Sequence, residues 1–214
     1  MILLIGGEKG GTGKTTLALN LAVLRALDNR DVLFLDTDRQ GSANIWATTR
    51  AKEKLGPTIT CISKFGEGLA EEVSRLASKF DDIIIDAGGR DTVELRQAML
   101  AAEKQLIPAR PSQFDIESLG KMDSLVRDCR GFNPRLQALV VINCAPTNPN
   151  MSDVEDMSDV LEDLSALTLL SSVVRDRVAF RRSVVDGKGV VEMTPGDEKA
   201  VFEITKLYKE VFNG

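Results

Sequence analysis

A chain of 214 residues, 43% hydrophobic and 28% charged, can bury a full core and falls outside the disordered and fibrous classes. Its formal charge of -5 excludes a global basic field, so any nucleic-acid contact must come from a local patch. Histidine is absent, which excludes histidine general-base catalysis, Ser-His and Cys-His nucleophile pairs, and most transition-metal sites.

The first apolar run is ILLIG (2–6), followed by a glycine-rich turn and helical spacing over 14–28. VLFLD (32–36) precedes a helix over 42–54, and a weaker strand, TITCI (58–62), precedes helical spacing over 67–79. IIIDA (83–87), helix 91–102, QLIPA (105–109), helix 115–130, LQALVVIN (136–143), helix 152–164 and LSSVV (170–174) complete the alternation. In the tail, 199–214, Val201, Ile204, Tyr208 and Val211 recur at the spacing of a helix packed on a sheet. Runs that are apolar throughout are buried on both faces, as parallel strands are. The order predicts an α/β fold: three layers, a mostly parallel central sheet with helices on both faces. No linker or repeat interrupts it, so 1–214 reads as one domain. Ligands of such sheets bind beyond the carboxyl ends of the strands.

The thiols Cys61, Cys129 and Cys144, odd in number and widely spaced, read as reduced and buried, as expected in the cytoplasm. The apolar opening lacks the length and basic flank of a signal peptide, and no run approaches the ~20 apolar residues of a membrane span.

The most informative stretch is LLIGGEKGGTGKTT (3–16), a strand, a glycine-rich turn and a helix start. Gly10, Gly11 and Gly13 let the backbone curl so that successive amides point at phosphate oxygens. The helix start adds free N–H groups and its positive dipole end. Lys14 is placed to reach the β- and γ-phosphates of a nucleotide, and the Thr15 hydroxyl to ligate Mg²⁺. The strict pattern G-x-x-x-x-G-K-[ST] is not met, because Glu8 holds its first glycine position. In LDTDRQGSANIW (35–46), Asp36 and Asp38 are two residues apart on an extended segment, so both can face the metal and the γ-phosphate. In DDIIIDAGGRD (81–91), Asp86 ends an apolar strand, where a carboxylate holds a Mg²⁺-bound water, and the glycines after it suit a loop that senses the γ-phosphate.

KGGTGKTT resembles the deviant Walker A motif of the ParA/MinD superfamily, with Lys9 as its signature lysine, and the stretch from Asp36 resembles the family's DxDPQGSA. LIPARPSQFDIESL (106–119) is similar to the family's IPxxPS segment. The resemblance runs from Ile2 to about Glu192 and implies a P-loop NTPase fold with ATP and Mg²⁺ as ligands. It implies that Lys9, Gly10, Gly11, Thr12, Gly13, Lys14, Thr15 and Thr16 bind nucleotide, and that Asn143 reads the adenine edge. Lys9 would act across a homodimer formed on ATP, Asp38 would orient or deprotonate the attacking water, and Thr15, Asp36 and Asp86 would serve the metal. Arg39 replaces the usual proline, which is expected to loosen the turn that aims Asp38.

Acidic residues crowd 153–163, whereas Arg175, Arg177, Arg181, Arg182 and Lys188 follow within a short span. In relatives, C-terminal arginines bind nonspecific DNA once ATP has assembled the dimer; here they stand equally as candidates for salt bridges. The resemblance implies a slow, partner-stimulated ATPase of the short ParA type without an N-terminal helix-turn-helix domain. It would segregate plasmid or chromosomal DNA on the nucleoid with a ParB-like partner. The alternatives are a positioning ATPase for a non-DNA cargo, a MinD-like membrane-cycling regulator, and an amidotransferase-type synthase, for which so compact a chain has little room. The tail mixes Glu203 and Glu210 with its lysines, so no membrane contact is expected of it.

Overall fold

The computed structural model describes residues 1–89, 92–111, 113–148, 159 and 161–213, and the side chains of all of these except 113–116. Seven parallel strands are described: β1 (Ile2–Gly7), β2 (Val32–Asp36), β3 (Thr60–Ser63), β4 (Asp82–Gly89), β5 (Lys104–Ala109), β6 (Gln137–Ala145) and β7 (Leu167–Arg175). They lie in the order β3-β2-β4-β1-β5-β6-β7. Parallel neighbours cannot be joined by tight hairpins, so each connection carries the chain over a face of the sheet.

The period of two in a strand sorts the apolar runs into two cores. Leu3, Ile5, Phe34 and Ile84 face α1 (Lys14–Leu27), α2 (Ser42–Lys52), α6 (Val178–Val185) and α7 (Glu198–Asn213). Leu4, Leu33, Leu35, Ile83 and Ile85 face α3 (Leu69–Leu76), α4 (Val93–Ala101) and α5 (Gln113–Arg130). Each fully buried side chain of this kind contributes about 1.5–3 kcal/mol, so both faces of the sheet contribute to holding the fold together.

The expected three-layer α/β architecture is therefore what forms. Differences lie at the margins. The weak strand is Thr60–Ser63 rather than 58–62, β7 begins at Leu167, and α3 is confined to Leu69–Leu76. Spacing assigns no element to 178–185, where α6 buries only Phe180 and Ser183, too few for a period to show. The helix expected over 152–164 lies outside the described residues apart from Asp159 and residues 161–164. The tail helix forms as expected, with Ile204, Tyr208 and Val211 buried. No helix among the described residues is long and apolar enough to cross a membrane.

One buried ion pair ties α2 to the chain beyond α6. Arg50 is 4% exposed and meets Glu192 through both terminal nitrogens, at 2.8 and 2.9 Å. The same guanidinium donates to the Gly187 and Pro57 carbonyls and stands over the Trp46 ring. Gly187 (φ +69°) is required here, because a Cβ would come within 2.7 Å of the Arg50 backbone nitrogen. Removing one partner of such a pair leaves an uncompensated buried charge. Glu192→Ala is expected to destabilise the fold by about 3–5 kcal/mol. Replacing both Arg50 and Glu192 by apolar residues should cost less. Urea unfolding followed by circular dichroism measures both.

Candidate functional site

At the carboxyl end of β1 the chain turns through residues 8–13 and enters α1 at Lys14. Gly11 and Gly13 both take positive φ, +74° and +86°, a region that side chains with a Cβ rarely adopt. No side chain caps α1, so its first amides are left for an anion. A Cβ on Gly13 would collide with the Asn143 amide, and one on Gly89 would come within 2.8 Å of the Gly10 nitrogen. The loop is thus packed against the ends of β4 and β6 at van der Waals distance.

The sheet register brings the acidic residues to the same place. Asp36 ends β2 directly opposite Asp86 on β4, and Asp86 is in turn opposite Ile5 of β1. The Thr37 amide and hydroxyl both donate to the Asp86 carbonyl at 3.0 Å, which locks the ends of the two strands together. Asp36 Oδ1 accepts from the Asp38 amide at 2.9 Å. Asp38 Oδ1 accepts from the Gln40 amide at 3.0 Å, and the Gly41 amide closes the turn on the Asp38 carbonyl at 3.1 Å. The turn that aims Asp38 is therefore closed with Arg39 in place of proline. This corrects the expectation that the arginine would loosen it: Arg39 occupies the second position of a β-turn, which proline favours but most residues accept.

Charge is not balanced within this group. Asp86 is 1% exposed, and neither of its carboxylate oxygens has a hydrogen-bond partner among the described residues; Asp36 Oδ2 is likewise unpaired. Burial pushes the Asp86 carboxyl up to about 7, and Asp36 and Asp38 push the same way. Lys14 and the nearby Thr15 side chain pull against it, though the latter closes no hydrogen bond in the geometry. Lys14, 7% exposed, donates from Nζ to the Lys9 carbonyl at 2.7 Å. Burial lowers its pKa, and Asp86 and Asp38 raise it back in part. The glycines, Lys14, Thr15, Thr16, Asp38 and Arg39 line one cavity of about 740 Å³, open to solvent at the carboxyl end of the sheet.

Such a site suits a phosphate with a divalent cation. Loop amides and Lys14 suit the anion, and the unpaired oxygens of Asp36 and Asp86, with the Thr15 hydroxyl, suit the cation or its waters. Among the described residues no group of three or more Asp, Glu, His or Cys side chains could hold a metal unaided. Mg²⁺ fits that pattern, since it binds through one or two carboxylates, waters and substrate phosphates.

Other expected site residues are placed differently. Lys9 is half-buried at the mouth of the loop. Asn143 is 4% exposed and its amide nitrogen donates to the Thr12 carbonyl at 2.6 Å, so part of its hydrogen-bonding capacity supports the loop from below. The remainder lines a smaller cavity of about 160 Å³ beside Gly13, Thr16, Leu17 and Phe180. The four arginines are not alike. Arg177 engages Glu203 at 2.7 and 3.1 Å, Arg175 is 3.5 Å from the same carboxylate, and Arg181 pairs with Asp176. Arg177 is committed to the fold, and Arg182 is exposed. Sequence reasoning passed over Thr37, Gln40, Thr92 and Glu94, which also border the large cavity; Thr37 and Gln40 flank the Asp38 motif closely enough to have been suspected.

The chain belongs to the CobQ/CobB/MinD/ParA nucleotide binding domain family, whose model matches residues 3–190. Maintenance of carboxysome distribution protein A of Halothiobacillus neapolitanus is 27% identical over 98% of this chain and 95% of its own length. A putative plasmid partition protein from Borrelia burgdorferi, solved bound to AMPPNP, aligns with a TM-score of 0.75 at 18% identity, covering 99% of this chain and 98% of that one. Septum site-determining protein MinD from Pyrococcus horikoshii, solved with Mg-ADP, aligns with a TM-score of 0.74 at 20% identity over 99% of this chain and 95% of that one. The structural likenesses show the same fold.

The raised Asp86 pKa has a consequence for stability. A carboxyl whose folded pKa lies above its unfolded value favours the fold while protonated, so this contribution is present below about 4 and is lost as pH rises through about 7. Asp86→Asn keeps the shape and removes the charge. Without nucleotide or metal, the variant should exceed wild type in stability at pH 8 by on the order of a few kcal/mol, and the gap should close toward pH 4. Denaturant midpoints at several pH values test this.

Proposed function

We propose that this chain is a Mg²⁺-dependent ATPase that closes into a homodimer on ATP and, through cycles of assembly and hydrolysis, positions a cargo in the cell. The observation that carries this reading is that a glycine-rich loop, a buried lysine and Asp38 line one cavity, with Asp36 and Asp86 buried at the adjoining strand ends and the Asp86 carboxylate unpaired among the described residues. Loop amides and Lys14 bind and orient the phosphates. Thr15, Asp36 and Asp86 hold the cation, which when bound neutralises charge on the terminal phosphates. Asp38, fixed by its turn, orients the attacking water and receives its proton. Lys9 of each protomer reaches the partner's nucleotide, a cation supplied from a second chain.

The cargo has two readings. In the first, the dimer binds nonspecific DNA on the nucleoid and segregates plasmid or chromosomal DNA with a ParB-like partner that stimulates hydrolysis. The exposed Arg182, with Arg181 beside it, supports such a surface, doubled when two chains assemble. The Halothiobacillus relative, aligned over nearly the whole chain, favours the second, in which a body other than DNA is distributed, as that protein's name says of carboxysomes. A membrane-cycling reading has less support, because the apolar stripe of α7 is buried against the sheet.

The lysines separate binding from assembly. Lys14→Ala should lose tight nucleotide binding, measured with a fluorescent ADP. Lys9→Ala should keep that binding and lose ATP-induced dimerisation in light scattering. ATP-driven dimers of Lys9→Ala at wild-type affinity would refute the cross-dimer role.

DNA contact is tested separately. Each phosphate contact that releases a counterion steepens the fall of affinity with salt. Arg181→Ala combined with Arg182→Ala should flatten the salt dependence of ATP-dependent DNA binding in anisotropy titrations while dimerisation survives. An unchanged slope would move the DNA surface elsewhere.

A further inference from the structure

Arg39 is the cation in the large cavity that the proposed cycle does not use. It sits at the outer corner of the turn from Asp38 to Gly41, one residue beyond the water-orienting aspartate, and faces the cavity shared by Gly10, Lys14 and Thr15. Its backbone is held by that closed turn, while its side chain is exposed. The guanidinium carbon stands 5.9 Å from the centre of the Phe65 ring, so an aromatic face supports the charge from one side. Glu94, which also lines the cavity, is anchored by accepting from the Gly66 amide at 2.9 Å. Its own amide and that of Gly66 hold the Glu94 carboxyl below its usual range, with lesser pulls from Thr92 and Arg39. Arg39 is thus poised between a weak carboxylate partner and an open, anion-binding cavity. A planar guanidinium can pair bidentately with a phosphate as it does with a carboxylate.

We propose that Arg39 is a catalytic cation supplied in cis, contacting the terminal phosphoryl group of ATP bound in the same protomer. This rests on the reading of the site as an ATPase. In the reaction the water oxygen bonds to the terminal phosphorus, and the water proton passes to Asp38. The bond from that phosphorus to the bridging oxygen breaks, and its electrons stay on the departing ADP. Arg39 neutralises charge on the transferring group as this happens. Because residues 38 and 39 are adjacent, the water and the cation are positioned by one turn. Lys9 needs a second chain to act; Arg39 does not, so the chain retains a basal turnover as a monomer.

The test is single-turnover hydrolysis of Mg-ATP by the whole chain at concentrations where light scattering shows monomer, with binding of fluorescent ADP and of ADP with aluminium fluoride alongside. Arg39→Ala should slow the first-order step on the order of 10- to 100-fold, as expected for losing one donor to a developing charge. ADP affinity should be unchanged, affinity for ADP with aluminium fluoride should fall with the rate, and Arg39→Lys should restore part of both. Three outcomes overturn the proposal: a wild-type rate in Arg39→Ala, a loss seen only at concentrations where dimers form, or an equal loss of ADP affinity. If wild type itself bound no nucleotide, the ATPase reading would fall first and Arg39 with it. A wild type that binds and hydrolyses beside an unaffected variant would sink the Arg39 proposal alone.

Discussion

Three aspartates brought to the ends of two neighbouring parallel strands, with one lysine to answer them, are the constraint on which the rest of the structure turns. Asp36 and Asp86 lie opposite one another in the sheet register, and Asp38 opens the turn that follows β2. Burial alone would drive charge out of such a place. The protein instead supplies Lys14 and, among the described residues, leaves the Asp86 oxygens without hydrogen-bond partners. A site of this kind is incomplete without a cation, and the loop amides beside it are incomplete without an anion. The loop lines the cavity, and the aspartate pair lies just behind its Thr37 and Asp38, so a metal-bound phosphate suits both.

The remainder of the fold serves that placement. Both sheet faces are covered, which keeps β4 and β2 dry and holds the acidic ends in register. Glycines at 13 and 89 let the phosphate loop settle directly on the ends of β6 and β4, where a Cβ would come within 2.4 Å of the Asn143 amide nitrogen and 2.8 Å of the Gly10 nitrogen. The Arg50–Glu192 pair ties α2, which begins just after the Asp38 turn, to the chain leading into α7.

Two departures from the family pattern have different physical characters. Glu8 takes the place of a glycine and reaches Lys121 on α5 at 3.1 Å, an exposed pair of small energetic weight. Arg39 takes the place of a proline without opening its turn, because the backbone bonds of residues 38–41 do not need the pyrrolidine ring. The first changes the rim of the loop; the second puts a cation into the cavity itself.

What the sequence by itself determined is local or periodic. Apolar runs placed the strands, because a strand buried on both faces must be apolar at every position. The glycine-rich turn before Lys14 and the strand-end aspartates marked the site, because parallel strands put their carboxyl ends on one edge. Tertiary structure alone decided which arginines are available, since Glu203 lies 26 residues from Arg177 in sequence and meets it only when α7 packs beside β7. It also decided that Asn143 supports the loop from 131 residues away, that Arg39 lines the large cavity, and that a helix with one buried phenylalanine forms at 178–185. Pairings between distant polar groups leave no period and no spacing in the chain; they exist only after the cores have brought their elements together.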